Sequence, residues 1–198
     1  MAEGRRERAD AIRNRRAILR ATEELLAGHR PEQISMERVA AAAGVGKGTV
    51  FHRFGSRMGL MLALMKERAL DLDEALRDGP PPLGPGAPPR ERMLAFLDAV
   101  VAVVTRNKSL LAALGHAAAT TPKAPDQGPP GDHPVYRSWH GHLSALIAEQ
   151  RPDLDAELLA HLLLGSLQSD PVLRLMEQGE GQRLADGLRE LATSLVDR

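Results

Sequence analysis

SMERVAAAAGVGKGTVFHRFGSR, residues 35–57, places small, apolar and polar side chains where two short helices crossing at a tight turn need them. Ser35 is positioned to cap a first helix, its hydroxyl accepting from an orphan backbone N–H, and residues 40–43 are all alanine, so a second helix can cross close by. Gly44 supplies the turn, since a left-handed backbone carries no Cβ clash at glycine, and Val45 fills the space between the helices. The second helix is expected over residues 47–54. Val50 and Phe54 are four apart and share its inner face, which turns Lys47, Gly48, Thr49, His52 and Arg53 outward. The pattern is a helix-turn-helix, and its outward residues are candidates for contact with DNA.

GVGKGTVFHRFGSR followed by a leucine-rich helix resembles the recognition helix and the start of the fourth helix of TetR-family transcriptional regulators. The likeness covers about twenty consecutive residues near the N-terminus, and the chain length and helical remainder suit the family. Three places depart from the usual pattern. Gly46 stands where a capping Ser or Thr is usual, Phe51 replaces Tyr, and Met58-Gly59 replaces an acidic residue and a helix former. The Phe51 change removes a hydroxyl that in relatives can reach a phosphate, leaving a packing role.

The resemblance implies an all-α protein with an N-terminal three-helix helix-turn-helix domain, residues 1–57, and a larger helical ligand-binding and dimerisation domain, residues 58–198. It also implies a homodimeric repressor of a pseudo-palindromic operator, released by a small molecule. In that role Lys47, Gly48, Thr49, His52 and Arg53 meet the major groove, while Ser35, Arg38, Phe51 and Arg57 hold or pack against the DNA backbone. Glu37 occupies a position where relatives can place a base-reading residue; a carboxylate there either accepts from a cytosine amino group or is a tolerated surface group.

Composition supplies the frame. At 198 residues and 43% hydrophobic content the chain can bury a core, and the absence of cysteine excludes disulfides, thiolate catalysis and thiolate metal sites. No apolar run approaches the roughly 18 residues that cross a membrane, so a cytoplasmic location is expected. Net charge is zero overall, yet residues 1–58 carry +5 and residues 59–198 carry −5. A basic front end that contains the helix-turn-helix suits a polyanionic partner.

Residues 1–9 read as a mobile arginine-bearing arm, either solvated without fixed contact or following the DNA backbone or entering a minor groove. Residues 10–27 form a first helix with Ile12, Ile18, Leu19, Thr22, Leu25 and Leu26 inward and Gly28 as its stop. Ser56 caps a long helix over residues 56–77 that links the two domains. Residues 79–90 hold six prolines and three glycines and must be a loop, as must residues 121–134 with five prolines and two glycines. Two helices are expected between these loops, with a break near Asn107, and a further helix over residues 135–150. After Pro152 comes an apolar helix interrupted or kinked near Pro171, then a last helix with leucines at steps of four, three and four.

That last seam could be intramolecular core. The family resemblance instead implies a four-helix bundle across a two-fold axis, with Leu159, Leu163, Leu167, Leu184, Leu188, Leu191 and Leu195 at the dimer interface. For the effector, Met93, Phe96, Leu97, Val100, Tyr136, Trp139, His140, His161 and Gln168 lie on segments that could line a pocket.

Other chemistries are weaker. GVGKGT lacks the Ser or Thr directly after lysine and the preceding strand that a P-loop requires. His116, His133, His140 and His142 invite a metal sensor, but two helical residues two apart point about 200° from one another. No catalytic constellation stands out and no cofactor is expected; a helical small-molecule binder or enzyme that no longer reads DNA is the competing class.

Overall fold

The computed structural model describes residues 2–113 and 133–197, which fold as helices with no strand among them. The helices are α1 (Ala2–Gly28), α2 (Met36–Ala42), α3 (Lys47–Phe54), α4 (Arg57–Asp78), α5 (Pro89–Ala113), α6 (Pro134–Gln150), α7 (Ala156–Ser166), α8 (Asp170–Glu177) and α9 (Gly181–Val196). A single 3-10 turn, Pro31–Gln33, joins α1 to α2. His116 and most of the second proline-rich stretch lie outside the described residues. The chain divides into two compact units, with the boundary inside α4 between Glu67 and Arg68.

In the first unit, Ile18 and Leu19 of α1, Ile34, Met36 and Val39 around α2, Val50 of α3 and Leu60, Met61 and Leu64 of α4 form a closed core. Burying each such side chain stabilises the unit by about 1.5–3 kcal/mol. Thr22 is fully buried in this core, and its hydroxyl donates to the Ile18 carbonyl at 2.8 Å, so the hydroxyl is not stranded. Ile12, expected inside, is 56% exposed. The expected N-terminal arm is helical, α1 starting at Ala2; residues 2–9 contain Ala, Glu and Arg, which favour helix, and their single glycine does not outweigh the continuing turn.

The second unit packs Leu72 and Leu76 of α4 against Met93, Phe96, Leu97 and Val100 of α5, Leu143 and Ile147 of α6, Leu163 and Leu164 of α7, and Leu188 and Ala192 of α9. Helix α5 runs unbroken through Asn107, where a break was expected. Asparagine costs a helix interior well under 1 kcal/mol, and here its Oδ1 accepts from Arg68 Nη1 at 2.9 Å.

Helix ends follow local chemistry. His133 caps α6, its Nδ1 accepting from Val135 N at 3.3 Å, and Asp155 caps α7, its carboxylate accepting from Leu158 N at 3.1 Å. Pro171 starts α8 rather than kinking a longer helix, because the first turn has no use for the N–H that proline lacks. Between α6 and α7, Arg151 grips Asp153 with two hydrogen bonds of 2.7 and 2.6 Å and donates to the Leu195 carbonyl at 2.9 Å, tying that connection to the end of α9. Its guanidinium holds the Asp153 carboxyl down to about 2.

Candidate nucleic-acid interface

Helices α2 and α3 meet at a turn built as the sequence requires. Ser35 Oγ accepts from Arg38 N at 3.2 Å at the start of α2, and Gly44 takes φ +66°, in the left-handed region. The Val45 N–H then donates to the Ala40 carbonyl at 3.0 Å and closes the turn. Gly46 leads into α3 with extended backbone and no side-chain cap. Val50 is fully buried and anchors α3 to the unit, and Phe54, half-buried, receives the guanidinium of Arg15 over its ring at 5.5 Å.

The opposite side of α3 is open. Lys47, Gly48 and His52 are exposed, and Thr49 and Arg53 half-buried, with Arg53 Nε finding no hydrogen-bond partner among the described residues. Phe51 is 40% exposed. Of the residues expected at the DNA backbone, Ser35 is occupied as a cap, Arg38 Nη2 lies 2.6 Å from His29 Nε2, and the Arg57 guanidinium donates to the Pro31 carbonyl. Arg57 therefore braces the α1–α2 connection. Ser56 caps α4 through the Gly59 N–H at 3.0 Å.

Lys47 is engaged as well. Its Nζ lies 2.5 Å from Glu37 Oε1 and 5.5 Å from the centre of the Phe51 ring. The hydrogen bond from Lys47, followed by those from the Glu37 backbone and Ser35, holds the Glu37 carboxyl down to about 2. The sequence places Glu37 and Lys47 ten residues apart on separate helices, so only the α2–α3 crossing reveals the pair.

The expected pocket residues separate into three groups. Met93, Phe96, Leu97 and Val100 are at most 1% exposed and are solid core, with Trp139 beside them at 8%. Tyr136, His140 and His161 instead form a column on α6 and α7: the two imidazoles stack at 3.8 Å, the Tyr136 hydroxyl lies 2.8 Å from His161 Nδ1, and His140 Nε2 donates to the Glu157 carbonyl at 3.1 Å. Gln168 is exposed. His140 and His142 face different surroundings, His142 packing on Phe96 with ring centres 5.1 Å apart. Among the described residues no three His or carboxylate groups come together as a metal shell.

A cavity of about 440 Å³ lies elsewhere in the second unit, lined by Leu70, Asp73, Glu74, Leu76, Arg77, Ser138 and His142. Ser138 Oγ donates to Asp73 Oδ1 across it at 3.2 Å, and the buried His142 Nε2 has no hydrogen-bond partner among the described residues. The sequence reading missed Asp73, Glu74 and Ser138; their cue was polarity on helices otherwise chosen for apolar content.

Among the leucines of the expected dimer seam, Leu163, Leu167 and Leu188 belong to the unit's own core, and Leu159, Leu184 and Leu195 pack against it. Leu191 is 60% exposed, alongside Leu158 at 53% and Leu162 at 60%.

Residues 18–64 match the family described as bacterial regulatory proteins, tetR family. A structure of the transcriptional regulator FadR from Bacillus subtilis in complex with stearoyl-CoA shares the fold, with a TM-score of 0.54 and 16% identity over 91% of this chain and 98% of that one. A TetR-like transcriptional regulator from Rhodococcus sp. RHA1 aligns with a TM-score of 0.49 and 22% identity over 93% of this chain and 97% of that one. Among curated proteins none matches the chain. No helix among the described residues is long and apolar enough to cross a membrane.

Proposed function

We propose that this chain, whose residues 18–64 match the family of bacterial regulatory proteins, tetR family, is a homodimeric repressor that binds a pseudo-palindromic operator and leaves it when a small molecule binds the second unit. The observation that carries the DNA reading is the open face of α3. A helix anchored inward by Val50, with Gly48 and His52 exposed and Thr49 and Arg53 half-buried on its other side, supports entry into a major groove. Arg53 is half-buried on this face, and an arginine there carries the guanidinium donors that pair with guanine or phosphate. Two such helices must stand about one DNA turn, ~34 Å, apart to read two half-sites.

The exposed leucines at 158, 162 and 191 support association of two copies through α7 and α9. The cavity edged by Asp73, Glu74, Ser138 and His142 is the place we assign to the effector, since Met93, Phe96, Leu97 and Val100 among the residues expected to line a pocket are closely packed core. The B. subtilis regulator was solved with stearoyl-CoA; for this chain the corresponding proposal is a small-molecule effector. Helix α4 carries Asp73 and Glu74 in one unit and Leu60 and Leu64 in the core of the other, so a shift of α4 couples the two. A tenfold fall in operator affinity requires the ligand to prefer the non-binding state by about 1.4 kcal/mol.

The test is an affinity titration against fragments of the DNA upstream of the protein's own coding sequence at two salt concentrations, with Thr49→Ala and Arg53→Ala alongside. Tight, salt-sensitive binding to one short palindrome that both substitutions weaken supports the repressor. Weak binding that is equal on every fragment and indifferent to both substitutions would overturn it.

A further inference from the structure

The Glu37–Lys47 pair sits on the face that the DNA reading assigns to the groove, and it changes what that face offers a duplex. Lys47 opens α3, and a lysine ammonium at a helix start lying in a groove is within reach of the flanking phosphates. Here the ammonium is held from two sides, 2.5 Å from Glu37 Oε1 and 5.5 Å from the Phe51 ring centre. Glu37 lies in the first turn of α2, where the helix dipole favours a carboxylate.

We propose that Glu37 is a specificity-determining residue of this face, which keeps the Lys47 charge from the DNA backbone and so holds down affinity for DNA of any sequence. The physical reason is a competition. A phosphate that takes the ammonium from Glu37 leaves a bare carboxylate in the strongly negative field of the duplex, an arrangement costlier than an ordinary surface pair left open in water. Paired, the two residues present a neutral surface, and counterion release gains nothing from Lys47. Sequence discrimination then rests on Thr49, His52 and Arg53, without a sequence-blind contribution from the first residue of the recognition helix.

The inference rests on the DNA-binding reading, and a salt titration separates the two. The probe is a random-sequence duplex of about twenty base pairs beside the operator fragment, with the full-length wild type, Glu37→Gln, Glu37→Ala, Lys47→Gln and the Glu37→Gln/Lys47→Gln double variant. Each neutralised phosphate adds about 0.9 to the slope of log affinity against log salt. Glu37→Gln is expected to steepen the slope on random DNA by about 0.9, which makes the loss of affinity between 50 and 200 mM salt larger by about three- to four-fold. It should also narrow the ratio of operator to random affinity. Lys47→Gln should remove about 0.9 of slope in the Glu37→Gln background and much less in the wild type. Equal slope changes from Lys47→Gln in both backgrounds, or no steepening in either Glu37→Gln or Glu37→Ala with unfolding midpoints unchanged, would overturn the proposal. A wild type that binds no duplex, or binds with no response to Arg53→Ala, would instead overturn the DNA reading beneath it.

Discussion

Arg68 of α4 and Asn107 of α5 are joined by a 2.9 Å hydrogen bond from Nη1 to Oδ1, with Arg68 only 8% exposed. A guanidinium drawn that far from water requires acceptors. Asn107→Ala removes one and is expected to lower the unfolding free energy by about 1.5–3 kcal/mol, the range for a hydrogen bond to a charged group. Arg68→Met in the same background should recover part of the loss, because it removes the charge left short of an acceptor. Urea denaturation of the two variants and the double variant measures both; an additive double variant would show that the pair is not coupled.

Two glycines are expected to resist alanine for different reasons. Gly44 has open space where a Cβ would lie but φ +66°, so Gly44→Ala should cost about 1–2 kcal/mol from backbone conformation alone, and Gly44→Asn less. Gly59 has ordinary helical backbone, yet a Cβ there would lie 2.1 Å from the Phe54 carbonyl oxygen. Gly59→Ala therefore should destabilise by about 1–3 kcal/mol despite the better helix former, because the chain entering α4 must move aside. Thermal unfolding of both variants checks this, and a more stable Gly59→Ala protein would refute it.

His142 is held below the ordinary histidine range, first by burial and then by the charge of Arg92, with Asp73 opposing. A group whose folded pKa is depressed binds fewer protons in the folded state than in the unfolded chain once pH falls below the unfolded value, about 6.5. Its contribution is complete above that pH and is lost as pH falls toward the folded value. The wild type should lose stability between pH 7.5 and pH 5.5, and His142→Leu should lose less over the same interval in urea midpoints. Parallel curves for the two proteins would show that His142 does not carry the effect.

Leu162, at 60% exposure, contributes little to the fold of one copy. Leu162→Glu is expected to leave the unfolding midpoint nearly unchanged while shifting the sedimentation coefficient from dimer to monomer, and to weaken binding to a two-half-site duplex more than to a single half-site. A wild type that sediments as a monomer at tens of micromolar would refute the proposed interface.

Acid behaviour follows from the paired carboxylates. Asp153, held to about 2 by Arg151, has a folded pKa below the ordinary 3.8, so its pairing is fully present above about 3.8 and is lost as pH falls through about 2. Asp153→Asn should flatten the stability profile below pH 4, measured by circular dichroism during acid titration, whereas an unchanged profile would assign acid sensitivity elsewhere.

The helix-turn-helix was legible because its determinants are local. Gly44, the alanines at 40–43, Ser35 and the Val50–Phe54 spacing each act within a few residues, and caps, turns and helical periodicity need no distant partner to express them. The proline-rich stretch over residues 79–90 announced a loop for the same reason. Position along the chain could not say which leucines face their own core: Leu158 and Leu159 are adjacent, yet one is 53% exposed and the other packs against the core, a matter of helix rotation set by neighbours far away in sequence. Nor could it say that Asn107 would be held in helix by Arg68, or that Arg57 would turn to the Pro31 carbonyl. The sequence alone determined most of the helices, their proline and glycine punctuation and the helix-turn-helix. Only the tertiary structure decided which charged groups on that surface are already taken, because a pair such as Glu37 and Lys47 forms through the crossing of two helices and leaves no mark in the spacing of either.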